Sequence, residues 1–313
     1  MPSMRLSAFA KVNLSLRVLA RETTGYHQIE TLFCRIDLAD DVTVHTRDDS
    51  ERSVECRGAE VGPAEQNLAW QAGAAYAARV GWPQGFAIEI EKQIPVGGGL
   101  GGGSTDAAAV LRALNAMNPE PLSVGDLLVV AESLGADVPF LASEAPLALA
   151  WGRGERMLAL PALPEQDIAL VLPPFGVSTA DAYGWLARAR AAVVAPRDDM
   201  VTPPDGVATT GVASARPGPV LHPFSAVTSW EGVARISSND FEPVVFAERP
   251  ELGEIYEKLA ALPAVAVARM SGSGSTLFAL FDEPAELRAV AQATGCRVIA
   301  ARTLSVVPHL RLD

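Results

Sequence analysis

The sequence predicts an α+β protein of two domains, and three observations carry that expectation. Short runs that alternate apolar and polar residues with period two, the mark of a strand with one wet face, are interspersed with Ala-rich runs of helical spacing. Both kinds of element recur on either side of residues 195–229, a stretch dense in Pro, Gly, Ser and Thr with little periodicity, which reads as a loop or insertion. The 313 residues suffice for one large domain or two ordinary ones, with ample apolar surface to bury.

Each element follows from its own pattern. Residues 9–19 (FAKVNLSLRVL) and 40–46 (DDVTVHT) alternate with period two and read as strands, joined through the turn-rich RETTGYHQIET. Residues 67–81 (NLAWQAGAAYAARVG) have helical spacing and end at a glycine, and FAIEIEKQIP then alternates again until Pro95 stops it. A glycine run follows. Residues 104–117 form an Ala-rich helix whose Ser, Thr and Asp suit an N-cap and a first turn. In the second half, DIALVLPP reads as a strand, 179–192 and 251–262 as helices, and AVAVARMSGSGSTLFALF as strand, Gly-Ser turn and strand. A helix over 285–293 and a strand over 297–303 close the chain.

Bulk properties narrow the function. A net charge of −12 argues against a nucleic-acid backbone or an anionic membrane surface as the main partner, while a small anionic ligand stays open if its pocket is locally positive. The mean hydropathy is only +0.19. No apolar run approaches the roughly 18 residues of a membrane span, and MPSMRLSAFAK lacks a secretory h-region. Three widely spaced cysteines, Cys34, Cys56 and Cys296, suggest neither a disulfide framework nor a metal cluster, so a reducing cytoplasm is expected. Oligomeric state, monomer or homodimer, is not legible.

The most informative stretch is IPVGGGLGGGSTDAA, residues 94–108, with six glycines between a strand and a helix. Glycine at this density belongs where the main chain turns left-handed or closely approaches a ligand, and strand, glycine loop and helix N-terminus together make a phosphate cradle. A Walker A loop would end in Gly-Lys-Ser/Thr, but Gly103 is followed by Ser104. Gly97, Gly99 and Gly102 have the spacing of a dinucleotide fingerprint, which any run so rich in glycine satisfies, and LNAMNPEPLS offers no second-strand acid. A plain linker would not stand between a strand and a capped helix.

The run PVGGGLGGGSTDAA closely resembles the phosphate loop of the GHMP kinases, ATP-dependent kinases of small molecules. AKVNLSLRV near the start and RMSGSGSTLFALF near the end resemble that superfamily's other two blocks, while GYHQIETLF, LGADVPF and SSNDFEP point to a narrower branch whose acceptor carries cytidine diphosphate. The resemblance spans nearly the whole chain outside the insertion. It implies a first domain over 1–160 of the ribosomal protein S5 domain 2-like fold, a second over 161–313 of the ferredoxin-like fold, and a site in the cleft between them. The implied reaction transfers the γ-phosphate of ATP to the 2-hydroxyl of 4-diphosphocytidyl-2-C-methyl-D-erythritol, in the non-mevalonate route to isoprenoid precursors; homoserine or mevalonate phosphorylation is the alternative.

The resemblance also implies residue roles. Lys11 and Asp137 face the acceptor hydroxyl, a cation and a proton acceptor being the groups that phosphoryl transfer uses. On residue type alone the better readings are a solvated strand lysine and a turn carboxylate. Asn13 shares a strand face with Lys11. Tyr26 and His27 are implied at the cytosine, with Thr179 and Tyr183 on the same side; Gly-Tyr-His alone is an ordinary turn. Pro95, Val96, Gly97, Gly98, Gly99, Leu100, Gly101, Gly102, Gly103, Ser104, Thr105 and Asp106 are implied at the triphosphate, with Ser104 near the phosphates or Mg²⁺. Asn67 and Lys92 are implied on the adenine side, where an N-cap and a solvated lysine are equally open. No acidic cluster suggests a dedicated metal cage, so Mg²⁺ is expected to travel with the nucleotide.

Overall fold

The computed structural model describes residues 2–22, 27–59, 62–194, 223–284 and 286–308. Two long strands, β1 (Ser3–Arg21) and β2 (His27–Arg47), pair antiparallel and form the backbone of the first sheet. β3 (Arg52–Arg57), α1 (Leu68–Val80), β4 (Gly85–Glu91), α2 (Gly102–Met117), α3 (Val124–Glu132), α4 (Val138–Ala142), β5 (Leu147–Gly152) and β6 (Arg156–Ala159) complete the first half. The edge of β2 opposite β1 is shared: its first half pairs with β5 and its second half with β4. Asn67 caps α1 by accepting from the Ala69 amide, and Gly81 ends it at φ +75°, as the helical spacing predicts.

β7 (Asp167–Leu172), α5 (Thr179–Val194), α6 (Trp230–Ile236), α7 (Glu242–Glu248), α8 (Pro250–Ala260), β8 (Val265–Met270), β9 (Leu277–Phe281), α9 (Leu287–Thr294) and β10 (Arg297–Arg302) make up the second half. Its sheet runs β10-β7-β9-β8 with every pair antiparallel, which is the ferredoxin-like order the resemblance implies. Residues 195–222 of the expected insertion lie outside the described residues. Residues 224–227 form a 3₁₀ turn, and Ser229 caps α6 by accepting from the Gly232 amide. No helix among the described residues is long and apolar enough to cross a membrane.

A register shift between Phe9 and Lys11 positions the functional face of β1. Before it, Met4, Leu6 and Ala8 pack in the core beneath α1 and α2; after it, Ala10, Val12 and Leu14 join an apolar layer with β7 and β9. Lys11 and Asn13 therefore face the helix side, toward the glycine loop and α4. Sequence pattern missed β3, β5, β6, α3, α4, α6 and α7. In α4 all five residues, VPFLA, are buried, so no periodicity marks it.

Candidate active site

The glycine loop is held at its entry by a carboxylate from the first sheet. Asp40, fully buried, accepts from the amides of Gln93 at 2.5 Å and Ile94 at 2.8 Å, and its other oxygen takes Lys92 Nζ at 2.5 Å. Lys92 also reaches Asp106 Oδ2 at 2.7 Å, tying the loop's entry to the second turn of α2. Burial, with Asp40 adding and Lys92 opposing, pushes the Asp106 carboxyl up to about 7, and its Oδ1 is buried without a hydrogen-bond partner. Between these anchors Gly97, Gly99 and Gly101 adopt φ of +74°, +76° and +75°. A methyl group on Gly99 would lie 2.1 Å from the Ser271 carbonyl oxygen, so only glycine fits.

α2 begins at Gly102 rather than at Ser104, with Gly101 as a left-handed N-cap that offers no side-chain bond. The expected Ser-Thr-Asp cap is thus corrected: a side chain on the N-cap Gly101 would crowd Lys11, and one on Gly102 would crowd Ile94. The first helical bond is Thr105 N to Gly101 O, which leaves the amides of Gly102, Gly103 and Ser104 free of helical partners. Gly102 and Gly103 border a cavity of about 310 Å³ whose lining includes Asn67, Lys92 and the loop from Pro95 to Gly103. Thr105 turns away from it, its hydroxyl donating to the Phe9 carbonyl, so the structure corrects its placement at the phosphates.

Lys11, only 3 % exposed, stands where the loop meets α4. Its ammonium donates to Asn13 Oδ1 at 2.8 Å and to the Gly99 carbonyl at 3.0 Å, and pairs with Asp137 Oδ2 at 3.2 Å. Asn13 is oriented in turn by Thr31, which bonds the Ser15 carbonyl. Asp137 is the N-cap residue of α4, yet its carboxylate makes no cap bond and is spent on Lys11 instead. From the second half of the chain, Ser271 Oγ donates to the same Gly99 carbonyl at 2.9 Å. Asn239 holds the Gly-Ser turn through the Met270 and Gly272 carbonyls.

On the other side of Asp137 opens a larger cavity of about 900 Å³, bordered by Gly135, Ala136, His27, Tyr183, Arg21 and Arg153 among others. The His27 and Tyr183 rings stack with centroids 4.5 Å apart, and Phe241 meets Tyr183 edge-on at 4.9 Å. Burial lowers the His27 pKa, with the charges of Arg21 and Arg190 adding to it. Burial also raises that of Tyr183, helped by the Asp137 charge.

Comparisons with known proteins agree with this geometry. Residues 67–144 match the family described as GHMP kinases N terminal domain, and residues 224–298 match GHMP kinases C terminal. A 4-diphosphocytidyl-2-C-methyl-D-erythritol kinase of Geobacter metallireducens is 39% identical over 93% of this chain and 94% of its own. The chain belongs to that family of GHMP kinases. A second relative, from Citrifermentans bemidjiense and of the same name, is 36% identical over 97% of this chain and 100% of its own. A crystal structure of 4-(cytidine 5'-diphospho)-2C-methyl-D-erythritol kinase superposes with a TM-score of 0.72 at 34% identity, covering 96% of this chain and 99% of that one. Homoserine kinase from Cytophaga hutchinsonii shares the fold, with a TM-score of 0.64 at 19% identity over 98% of this chain and 96% of its own.

In this kinase the residues expected from the sequence fall into three groups. Lys11, Asn13 and Asp137 converge with Gly99 at one point. Asn67 caps α1, as one of the two readings left open for it has it, and also borders the glycine cavity. Lys92 borders that cavity too, but as a buried ion pair and not as a solvated lysine. His27 and Tyr183 line the larger cavity, Tyr26 lies outside the described residues, and Thr179 is turned to Ser273, with oxygens 2.9 Å apart, instead of lining that cavity with Tyr183. Sequence reasoning missed Asp40, Arg35, Ser271 as a loop contact, and Arg153. Asp40 and Arg35 sit on a strand whose residues Leu32 to Ile36 are buried on both faces, a pattern that gives no hint of which charge turns inward.

Proposed function

We propose that this kinase transfers the γ-phosphate of ATP to the 2-hydroxyl of 4-diphosphocytidyl-2-C-methyl-D-erythritol, serving the non-mevalonate route to isoprenoid precursors. The observation that carries the reading is the Lys11–Asp137 pair, which ties Gly99 of the glycine loop to the residue that follows Gly135 and Ala136 on the border of the larger cavity. Asp137 receives or orients the acceptor hydroxyl's proton, and Lys11 holds that carboxylate and steadies the charge that develops between donor and acceptor. The free amides of Gly102, Gly103 and Ser104, with the left-handed glycines before them, hold the phosphates. Asn67 and Lys92 border the nucleoside end. At the far end Tyr183 and His27, with Tyr26 next to it in sequence, take the cytosine.

Among the described residues no three His, Cys, Asp or Glu side chains gather into a metal-binding group. The buried carboxylates nearest the loop, Asp40 and Asp106, are engaged by Lys92, so the residues suit a Mg²⁺ that arrives on the phosphates, with Ser104 the hydroxyl that α2 offers there. When bound, the ion neutralises and aligns the β- and γ-phosphates. Domains over 1–160 and 161–313 suit a first sheet ending at Ala159 and a second beginning at Asp167. Three free thiols suit a reducing cytoplasm. The deciding test is ATP consumption with three acceptors, the cytidine compound, homoserine and mevalonate; efficient turnover of either of the last two alone overturns the reading.

A further inference from the structure

Arg35 is a buried cation, only 1 % exposed, in the middle of β2, and all its hydrogen bonds go to carbonyl oxygens. Nε donates to Ala145 O at 3.0 Å, and Nη2 to Phe140 O at 2.6 Å, Leu141 O at 2.9 Å and Ser143 O at 2.8 Å. These are the C-terminal carbonyls of α4 and of the segment after it, where a helix end lacks further amide donors; Phe140 O also accepts from Ser143. The guanidinium also lies over the Phe140 ring, which stacks on Phe33 at 4.9 Å. On the Phe33 ring, in turn, sits the Lys11 ammonium, 5.5 Å from its centroid.

The register gives this cluster its meaning. Arg35 is the direct cross-strand partner of Lys11. α4 is one turn long, its entry bond being Leu141 N to Asp137 O, so whatever fixes its exit fixes Asp137. At its entry the side-chain contact is the Lys11–Asp137 pair itself, since Asp137 makes no cap bond and Pro139 has no amide to give. A guanidinium kept dry on carbonyls alone carries a desolvation penalty that an apolar residue would avoid, and burial with the charge of Arg112 pulls its pKa down to about 9. Plain packing does not call for it.

We propose that Arg35 is a positioning residue for phosphoryl transfer: by locking the exit of α4 to the strand that faces Lys11, it holds Asp137 at the Lys11 ammonium. This rests on the reading of Asp137 as the carboxylate that faces the acceptor hydroxyl. The test uses the full chain and compares Arg35→Lys, Arg35→Met, Asp137→Asn and the double variant Arg35→Lys/Asp137→Asn, each checked for folding by thermal unfolding. Arg35→Lys, which keeps charge and donors but not the fork, is expected to lower kcat about tenfold or more with the KM for ATP within about threefold. The double variant is expected to be no slower than Asp137→Asn alone, since a residue acting through Asp137 has nothing left to position. Near-normal kcat in either folded Arg35 variant overturns the proposal, as do multiplicative losses in the double variant or collapse of both Arg35 variants, which would mark a purely structural role. Normal turnover in Asp137→Asn alone overturns the underlying reading instead, and is seen without touching Arg35.

Discussion

The two ends of the cleft are built on opposite principles. At the glycine loop the polar groups are dry and mutually engaged: Asp40, Lys92 and Asp106 form one buried cluster, and the left-handed Gly99 is wedged against Ser271. At the aromatic end the cavity is about three times larger on the volumes of 900 and 310 Å³, and its walls are rings and long cations. The His27–Tyr183 stack, at 4.5 Å, fills the space that a base between the two rings would need. On the proposed assignment, the end that would take a chemically constant group, a phosphate chain, is preorganised by backbone, whereas the end that would take a base depends on side chains.

The largest effect expected from this contrast is at the rigid end. Asp40→Ala removes the partner of two amides and of a buried lysine, and breaking such a cluster typically costs about 3–5 kcal/mol of stability. A drop in Tm of only a degree or two would show that the cluster is not what holds the loop. At the meeting point of the two ends, Asp137→Asn should reduce kcat about 100-fold while leaving ATP affinity within a few-fold; steady-state kinetics and calorimetry separate the two.

Within the loop itself, Gly99→Ala and Gly97→Ala sharpen the comparison. Both positions have positive φ, but a Cβ at Gly97 meets open space whereas one at Gly99 meets backbone. Gly97→Ala should weaken ATP binding by the strain alone, about 1–2 kcal/mol or roughly tenfold, and Gly99→Ala by clearly more. Equal losses would mean that close approach is not what selects glycine there. At the adaptable end, Tyr183→Ala should raise the KM for the cytidine acceptor about tenfold and leave that for ATP unchanged, on the scale of a lost base stack. An equal change in both constants would break the division between the ends.

The smallest effect is electrostatic. Because burial and the charges of Arg21 and Arg190 lower the His27 pKa, the imidazole is neutral at pH 7 and takes up its proton only as the pH falls below 6.5. An NMR titration should place its midpoint below that value, and added salt should move it upward by screening the two arginines. A midpoint above 6.5 would reverse the sign of the local field.

What the sequence by itself determined is whatever depends on local backbone rules or on the resemblance of whole blocks. The α1 helix with Asn67 and Gly81 at its ends, the glycine cradle and the strand–turn–strand of 264–281 were legible because capping, positive φ and period-two alternation act within a few residues. Lys11 and Asp137 were legible only through the family blocks, being unremarkable in type. What tertiary structure alone decided is which buried charges face one another. Asp40 meets Lys92 across 52 residues, Arg35 meets the carbonyls of α4 and the segment after it across 105 to 110, and Ser271 meets Gly99 across 172. Thr105, expected at the phosphates, instead bonds the Phe9 carbonyl of β1 for the same reason. A side chain's partner is set by which strands and helices pack together, and a desolvated charge is tolerated only where that packing brings a complementary group to it.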